Sequence, residues 1–338
     1  MHPRCCIKHD SSAAQAMNYS APWWLPGGNL QTIWAAMVAR RFAGPKPEFR
    51  RERWDAPDND FVDVDFLRAY AAPNAPLMVV FHGLEGSSAS HYAEALAAVA
   101  GARGWACAVP HFRGCSGEIN HAPRAYHSGD FEEIDWILRR FRASHAGPVL
   151  AVGISLGGNA LMRWAGEMNA GASAVVAAVA SVCSPLDLAA GGWAIGRGFN
   201  RQVYTRMFLK SMVPKALLKL DQHPGLFSRE RLLAARDLYE FDNVFTAPLH
   251  GFQNTEDYWA RASAKPHMNR IGVPALALNA RNDPFIPAWS LPLPGDVSAS
   301  VTLWQPEEGG HVGFPSGPFP GRVQLMPEAV AGFFSAHL

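Results

Sequence analysis

The chain is poor in charge. Asp, Glu, Lys and Arg make up 17% of its 338 residues, and Lys plus Arg (30) against Asp plus Glu (29) leave a formal charge of +1. That balance, with no basic run beyond Arg40-Arg41 and the scattered Arg50, Arg51 and Arg53, gives no electrostatic reason to expect nucleic acid or an anionic membrane surface as partner. The three scattered arginines read as a solvated face. Long apolar runs are also missing. The longest largely apolar stretch, Ala172 to Cys183, has twelve residues, too short to cross a bilayer. Met1 to Ser20 mixes charged and polar residues without the apolar segment of a secretory signal. Cysteines are few and unpaired: Cys5, Cys6, Cys107, Cys115 and Cys183 form no C-x-x-C, which argues against zinc and against a thioredoxin-like redox site. Cys107 and Cys183 fall in or at the end of apolar runs and read as buried thiols, a pattern that suits a reducing compartment. Internal repeats and low-complexity tracts are absent. The expectation is a cytoplasmic protein with no stable membrane insertion and no obligate protein partner, in which residues 1–21 are a disordered leader and Met17 is a second candidate start.

What is present is apolar substance: 49% hydrophobic residues, enough for a substantial core. Pro22 to Thr32 reads as a loop leading into a short helix around Ile33 to Arg41. Arg50 to Trp54 and Phe61 to Tyr70, bracketing Asp58-Asn59-Asp60, read as an antiparallel hairpin. From there strands and helices alternate. Leu77 to Phe81 is followed by a helix near His91 to Arg103, and Trp105 to Val109 by a helix from Asp130 to Ser144. Pro148 to Val152 is followed by a helix and then by the strand Val175 to Val182. Continuous apolar strands separated by helices mean a mostly parallel sheet covered on both faces, an α/β fold. After Ser184-Pro185 the rhythm stops. Residues 187–265 carry helical segments but no strand, and an apolar, aromatic character; they read as a helical cap inserted between two strands. Strands resume at Pro274 to Leu278 and Val301 to Trp304, and a helix runs from Pro327 to His337. Residues 22–338 thus form one domain.

The chemistry is carried by Gly153-Ile154-Ser155-Leu156-Gly157. It lies between an apolar strand and a helix, the context that makes G-x-S-x-G a nucleophile elbow: the turn pushes the Ser155 hydroxyl out above the sheet. Acyl transfer at serine needs a base and an acid that orients it. Asp283 follows the strand ending at Leu278, and His311 follows the next strand behind Glu307-Glu308-Gly309-Gly310. Both fall at the carboxyl edge of the sheet, where sites of open parallel sheets lie. The order Ser155, Asp283, His311 is the one required, and Asp187 is a second candidate for the acid that keeps it. Glu308 reads as a solvated loop charge. The oxyanion hole is expected from the backbone N–H of Leu156 and of Leu84, the latter in Phe81-His82-Gly83-Leu84-Glu85-Gly86. His82 reads as a structural histidine beneath that hole. His111, His121 and His127 lack metal-ligand spacing, so no metal is expected, and residues 83–86 lack the Lys-Ser/Thr of a phosphate loop, so no cofactor is expected either.

These motifs together resemble a known family. The Gly-Asn-Leu-Gln-Thr core of residues 28–32, Phe81 to Ser87, His111 to Glu118, Tyr126 to Gly129, Ser155 to Asn159, Asn282 to Phe285 and Gly309 to Phe314 are similar to the YheT-like branch of the α/β-hydrolase superfamily, over nearly the whole chain from residue 22. The resemblance implies the α/β-hydrolase fold and a serine esterase whose triad maps onto Ser155, Asp283 and His311. Eukaryotic members of the branch carry an N-terminal membrane anchor, and some act on phospholipids; no such anchor is expected in this chain. The expected partner is a small-molecule ester, and the apolar cap points to a hydrophobic acyl group. The same machinery would serve an acyltransferase or a thioesterase, and the same fold a ligand-binding protein.

Overall fold

The structure is a computed structural model and describes residues 19–338. Eight strands form one sheet: β1 (Phe49–Asp55), β2 (Phe61–Leu67), β3 (Leu77–Phe81), β4 (Ala106–Pro110), β5 (Val149–Ile154), β6 (Ala178–Val182), β7 (Ala275–Leu278) and β8 (Val301–Trp304). Their order is β1-β2-β4-β3-β5-β6-β7-β8. The β1–β2 and β2–β4 pairs are antiparallel and every other pair is parallel. The composition of the strands explains the division. β3, β5, β6 and β7 are buried along their whole length, as parallel strands sandwiched between helices must be. β1 is mostly exposed, and its Arg51 and Arg53 stand directly opposite Asp65 and Asp63 of β2.

Those arginines are not simply solvated. Arg51 Nε lies 2.7 Å from Asp65 and Arg53 Nε 2.8 Å from Asp63, and each guanidinium makes a second bond to the same carboxylate. The hairpin brings opposite charges together on one face of the strand pair.

The helices outside the cap are α1 (Gly28–Met37), α2 (His91–Ala102), α3 (Phe131–Ser144) and α4 (Leu156–Met168), with the C-terminal helix Leu325–Ser335 closing the domain. They divide the core in two. Phe81, Ile134, Ile137 and Trp164 pack on one face of the sheet, and Met78, Leu96, Val330 and Phe334 on the other. Truncating one such aromatic to Ala costs about 3–5 kcal/mol in comparable cores.

Three boundaries differ from expectation. α1 begins at Gly28 rather than Ile33, because Gly28 packs its backbone against the Asn282 carbonyl, where a Cβ would stand 1.8 Å from the oxygen. β6 begins at Ala178, since Asn169–Ala174 forms a 3-10 turn. The leader expected over 1–21 lies outside the described residues up to 18, but Tyr19 to Ala21 belong to the folded domain. Tyr19 is buried, donates to the Pro315 carbonyl at 2.8 Å and stacks edge-on against Phe314.

Between β6 and β7 the chain is helical: α5 (Leu188–Ile195), a continuous helical stretch from Gly198 whose main part is α6 (Arg206–Gln222), then α7 (Arg229–Ala234), α8 (Leu238–Val244) and α9 (Thr255–Ala262), with a short helical turn at Thr246–Leu249. Among the described residues no helix is long and apolar enough to cross a membrane.

Candidate active site

β5 delivers the chain into α4 through Ser155, whose backbone stands at φ 52, ψ −117. An L-residue holds such a conformation only where its surroundings enforce it. They do so by close approach. A Cβ at Gly157 would lie 2.5 Å from the His82 carbonyl oxygen, so the backbones after β3 and β5 can touch only at glycine. The Ser155 N–H is held by the Val182 carbonyl at 2.9 Å. The hydroxyl therefore sits at the N-terminal, positive end of α4.

His311 arrives from the loop after β8. Its Nε2 is 3.0 Å from Ser155 Oγ and its Nδ1 is 2.8 Å from Asp283 Oδ2. The other carboxylate oxygen of Asp283 accepts the Phe285 N–H at 2.8 Å, which fixes the plane of a buried side chain. With the proton on Nδ1 facing the carboxylate, Nε2 presents a lone pair to the hydroxyl. The Phe285 ring lies 4.3 Å from the imidazole, centre to centre, and covers it. Of the two candidate acids, Asp283 is the one at His311. Asp187 instead caps α5, accepting the Ala190 N–H at 3.0 Å.

The residues that hold His311 lie in motifs the sequence reading quoted without assigning them a role. Thr32 Oγ1 accepts the His311 N–H at 2.8 Å, Gln31 Oε1 accepts the Gly309 N–H at 2.9 Å, and Asn282 Oδ1 accepts the Gly310 N–H at 2.9 Å. Asn282 and Gln31 also bond to each other at 3.0 Å. Glu308 is not a solvated charge: it accepts from the Ala21 N–H at 3.1 Å and lies 3.4 Å from Gln31 Nε2. Asn29, Gln31 and Thr32 directly behind two glycines were the available signal, because amide and hydroxyl groups that become buried need hydrogen-bond partners.

Above the elbow the loop after β3 folds back through a tight turn, with the Gly86 N–H on the Gly83 carbonyl at 2.9 Å. Beneath it His82 is fully buried. Its Nε2 accepts the Phe112 N–H at 3.0 Å, and burial, reinforced by the nearby His111, pushes its pKa down to about 3, so it is neutral. Glu85 holds φ 57. Its N–H donates to the Tyr126 hydroxyl at 3.0 Å, that hydroxyl donates to the Glu85 carboxylate at 2.9 Å, and Lys215 of α6 lies 2.8 Å from the second carboxylate oxygen. The N–H groups of Leu84 and Leu156 donate to no acceptor among the described residues, and Ser155 and both leucines border one cavity.

That cavity, about 1230 Å³ including its mouth, lies between the sheet edge and the cap. Its walls are largely apolar: Leu188, Ile195, Phe208, Met212, Phe241 and Phe245. Two carboxyls, Glu85 and Asp242, interrupt them, together with Arg113, Arg124, Lys215 and Lys219. Asp242 accepts from Thr246 Oγ1 at 2.6 Å and from Trp259 Nε1 at 3.1 Å, and burial raises its pKa to about 7 despite both bonds. Among the described residues no group of three or more His, Cys, Asp or Glu is arranged to hold a metal ion.

Residues 76–318 match the family described as alpha/beta hydrolase fold. The chain is 41% identical over 271 residues to the Escherichia coli (strain K12) protein named "Putative esterase YheT", covering 79% of this chain and 78% of that one. It is 25% identical over 328 residues to the human protein named "Phospholipase ABHD3", covering 93% of this chain and 77% of that one. Among solved structures, the Pyrococcus furiosus esterase Pf2001 superposes with a TM-score of 0.52 at 13% identity, covering 88% of this chain and 98% of that one; at that identity the likeness concerns the fold alone.

Proposed function

Because the chain belongs to the α/β-hydrolase fold family, in the branch of the bacterial protein YheT, we propose that it cleaves carboxylic esters of hydrophobic acids through an acyl-enzyme on Ser155. The observation that carries this reading is the single imidazole of His311 set between Ser155 Oγ and Asp283 Oδ2, at 3.0 and 2.8 Å, beside a largely apolar cavity. Ser155 Oγ attacks the ester carbonyl carbon while His311 Nε2 takes its proton. Asp283 holds the imidazole and stabilises its cation without taking the proton. The N–H groups of Leu84 and Leu156 receive the oxyanion, a stabilisation worth about 3–4 kcal/mol for one such donor in a comparable site. Collapse of the tetrahedral intermediate expels the alcohol, which takes the proton back from His311. Water then attacks the acyl-Ser155 carbonyl with His311 again as base, and the carboxylic acid leaves.

The apolar lining supports an alkyl or aryl acyl group, since each buried methylene contributes about 0.8 kcal/mol. Hydrolysis of p-nitrophenyl esters of increasing chain length, by the wild type and by Ser155→Ala, tests the proposal. Turnover that peaks at one length and disappears in the variant is expected. Turnover that survives in Ser155→Ala would remove the serine from the mechanism.

A further inference from the structure

The helical stretch 198–222 has two apolar faces, and the cavity uses only one. Phe208, Met212 and Ala216, spaced four apart, point inward and line the cavity. On the other side Phe199, Val203 and Met207, also four apart, point to solvent, with Phe199 and Met207 more than half exposed (54% and 56%) and Leu218 continuing the stripe. Trp193, at the end of α5, is exposed as well. Among the described residues Trp193 packs against Tyr239 and Trp259 and Phe199 meets the Tyr204 ring edge-on, while the outer sides of Phe199, Val203 and Met207 are left exposed.

Along this stretch of chain the charges are of one sign, bounded by Asp187 and Asp221. Residues 188–220 contain Arg197, Arg201, Arg206, Lys210, Lys215 and Lys219 and neither Asp nor Glu. The last two are committed inward, Lys215 to Glu85 and Lys219 to the carbonyls of Asn120 and Ala122. Arg197 lies over the Trp193 ring at 5.4 Å. Arg201 adds to the field that lowers the Glu240 carboxyl, whose main partner is Arg236. Among the described residues Arg197, Arg206 and Lys210 make no ion pair. In a chain of net charge +1 this is a local concentration of cations that the overall balance conceals.

We propose that this outer face of the cap, with Phe199, Val203 and Met207 among Arg197, Arg206 and Lys210, adsorbs the protein onto an anionic lipid surface. A helix lying in the plane of such an interface needs this combination: aromatic and aliphatic side chains entering the headgroup boundary and Lys or Arg facing the lipid phosphates. A second copy of the chain fits less well, because a two-fold contact through this face sets cations against cations. Adsorption is peripheral, and it stands independently of the hydrolase reading.

The test is co-sedimentation of full-length Ser155→Ala protein with phosphatidylcholine vesicles with and without phosphatidylglycerol, at low and high salt. Using that variant separates adsorption from hydrolysis. Binding is expected only with phosphatidylglycerol and weakens as salt screens the surface. Arg206→Glu/Lys210→Glu lowers it at least about tenfold, and Phe199→Ser/Met207→Ser lowers it several-fold. Introduced singly into active protein, neither pair changes turnover of a soluble short-chain ester or the melting temperature. Equal binding to both vesicles, no binding to either, or binding indifferent to both pairs would overturn the proposal. So would lipid-free self-association abolished by the same substitutions.

Discussion

The elbow under Ser155 and the cap above it border the same cavity, yet they are held by different means. At the elbow the backbone does the positioning: strand ends touch at Gly157, Ser155 keeps a positive φ, and the buried histidine below is neutral. In the cap, side chains do it: Asp242 gathers Thr246 and Trp259 inside an apolar wall, and Lys215 reaches across to Glu85. Backbone contact tolerates no change of shape, whereas side-chain bonds and apolar walls tolerate several. On the proposed reading the elbow is the part that fixes the reaction, and the cap the part that sets which substrate is accepted and where it is met.

Substitutions sharpen this contrast, beginning with the severest. Ser155→Ala or His311→Ala should lower kcat by about 10⁴-fold or more with the melting temperature nearly unchanged, since such groups act as a unit. Gly157→Ala should lower kcat by about a hundredfold and also destabilise the fold by about 1–3 kcal/mol, because its methyl meets the His82 carbonyl at 2.5 Å; denaturant melts read the second effect. Thr32→Val removes the acceptor of the His311 N–H and should lower kcat about tenfold with KM steady. In the cap, Met212→Trp fills part of the cavity and should move the preferred ester to a shorter acyl chain, leaving kcat for the shortest ester within about threefold.

The smallest effect is the most discriminating, because the two regions should respond to pH with opposite sign. His82 has a folded pKa of about 3 against 6.5 unfolded. The unfolded state binds more protons between these values, so its contribution is complete above pH 6.5 and is lost as pH falls toward 3. Asp242 has a folded pKa of about 7 against 3.8 unfolded. Its contribution is complete below pH 3.8 and is lost as pH rises through 7. Stability measured by denaturant across pH 4–6.5 should shift toward falling with rising pH in His82→Gln, and toward rising with pH in Asp242→Asn, each relative to the wild type. Identical slopes in both variants and the wild type would erase the distinction between the regions.

Much of the fold was legible in sequence because parallel strands buried on both faces are continuous apolar runs. The break in their rhythm after Ser184-Pro185 coincides with the helical segments between β6 and β7. Ser155, Asp283 and His311 could be named because each follows a strand and the glycines around them mark turns. The clamp on His311 was less visible. Gln31 and Thr32 act on residues more than 270 positions away, and no local pattern records such a partner. The pairing of Arg51 and Arg53 with Asp65 and Asp63 was readable in principle, since a hairpin turning at Asp58-Asn59 sets that register. Reading the arginines as scattered charges missed it. The cationic outer face of the cap escaped for another reason: a balanced total charge says nothing about where the charges lie.

The most direct measurement of the central claim is reaction of the folded protein with a fluorophosphonate, followed by mass spectrometry of its peptides. One phosphonyl group on Ser155, absent from Ser155→Ala and greatly slowed in His311→Ala, is the predicted result. A folded protein that takes no label, or takes it at another residue, would contradict the account.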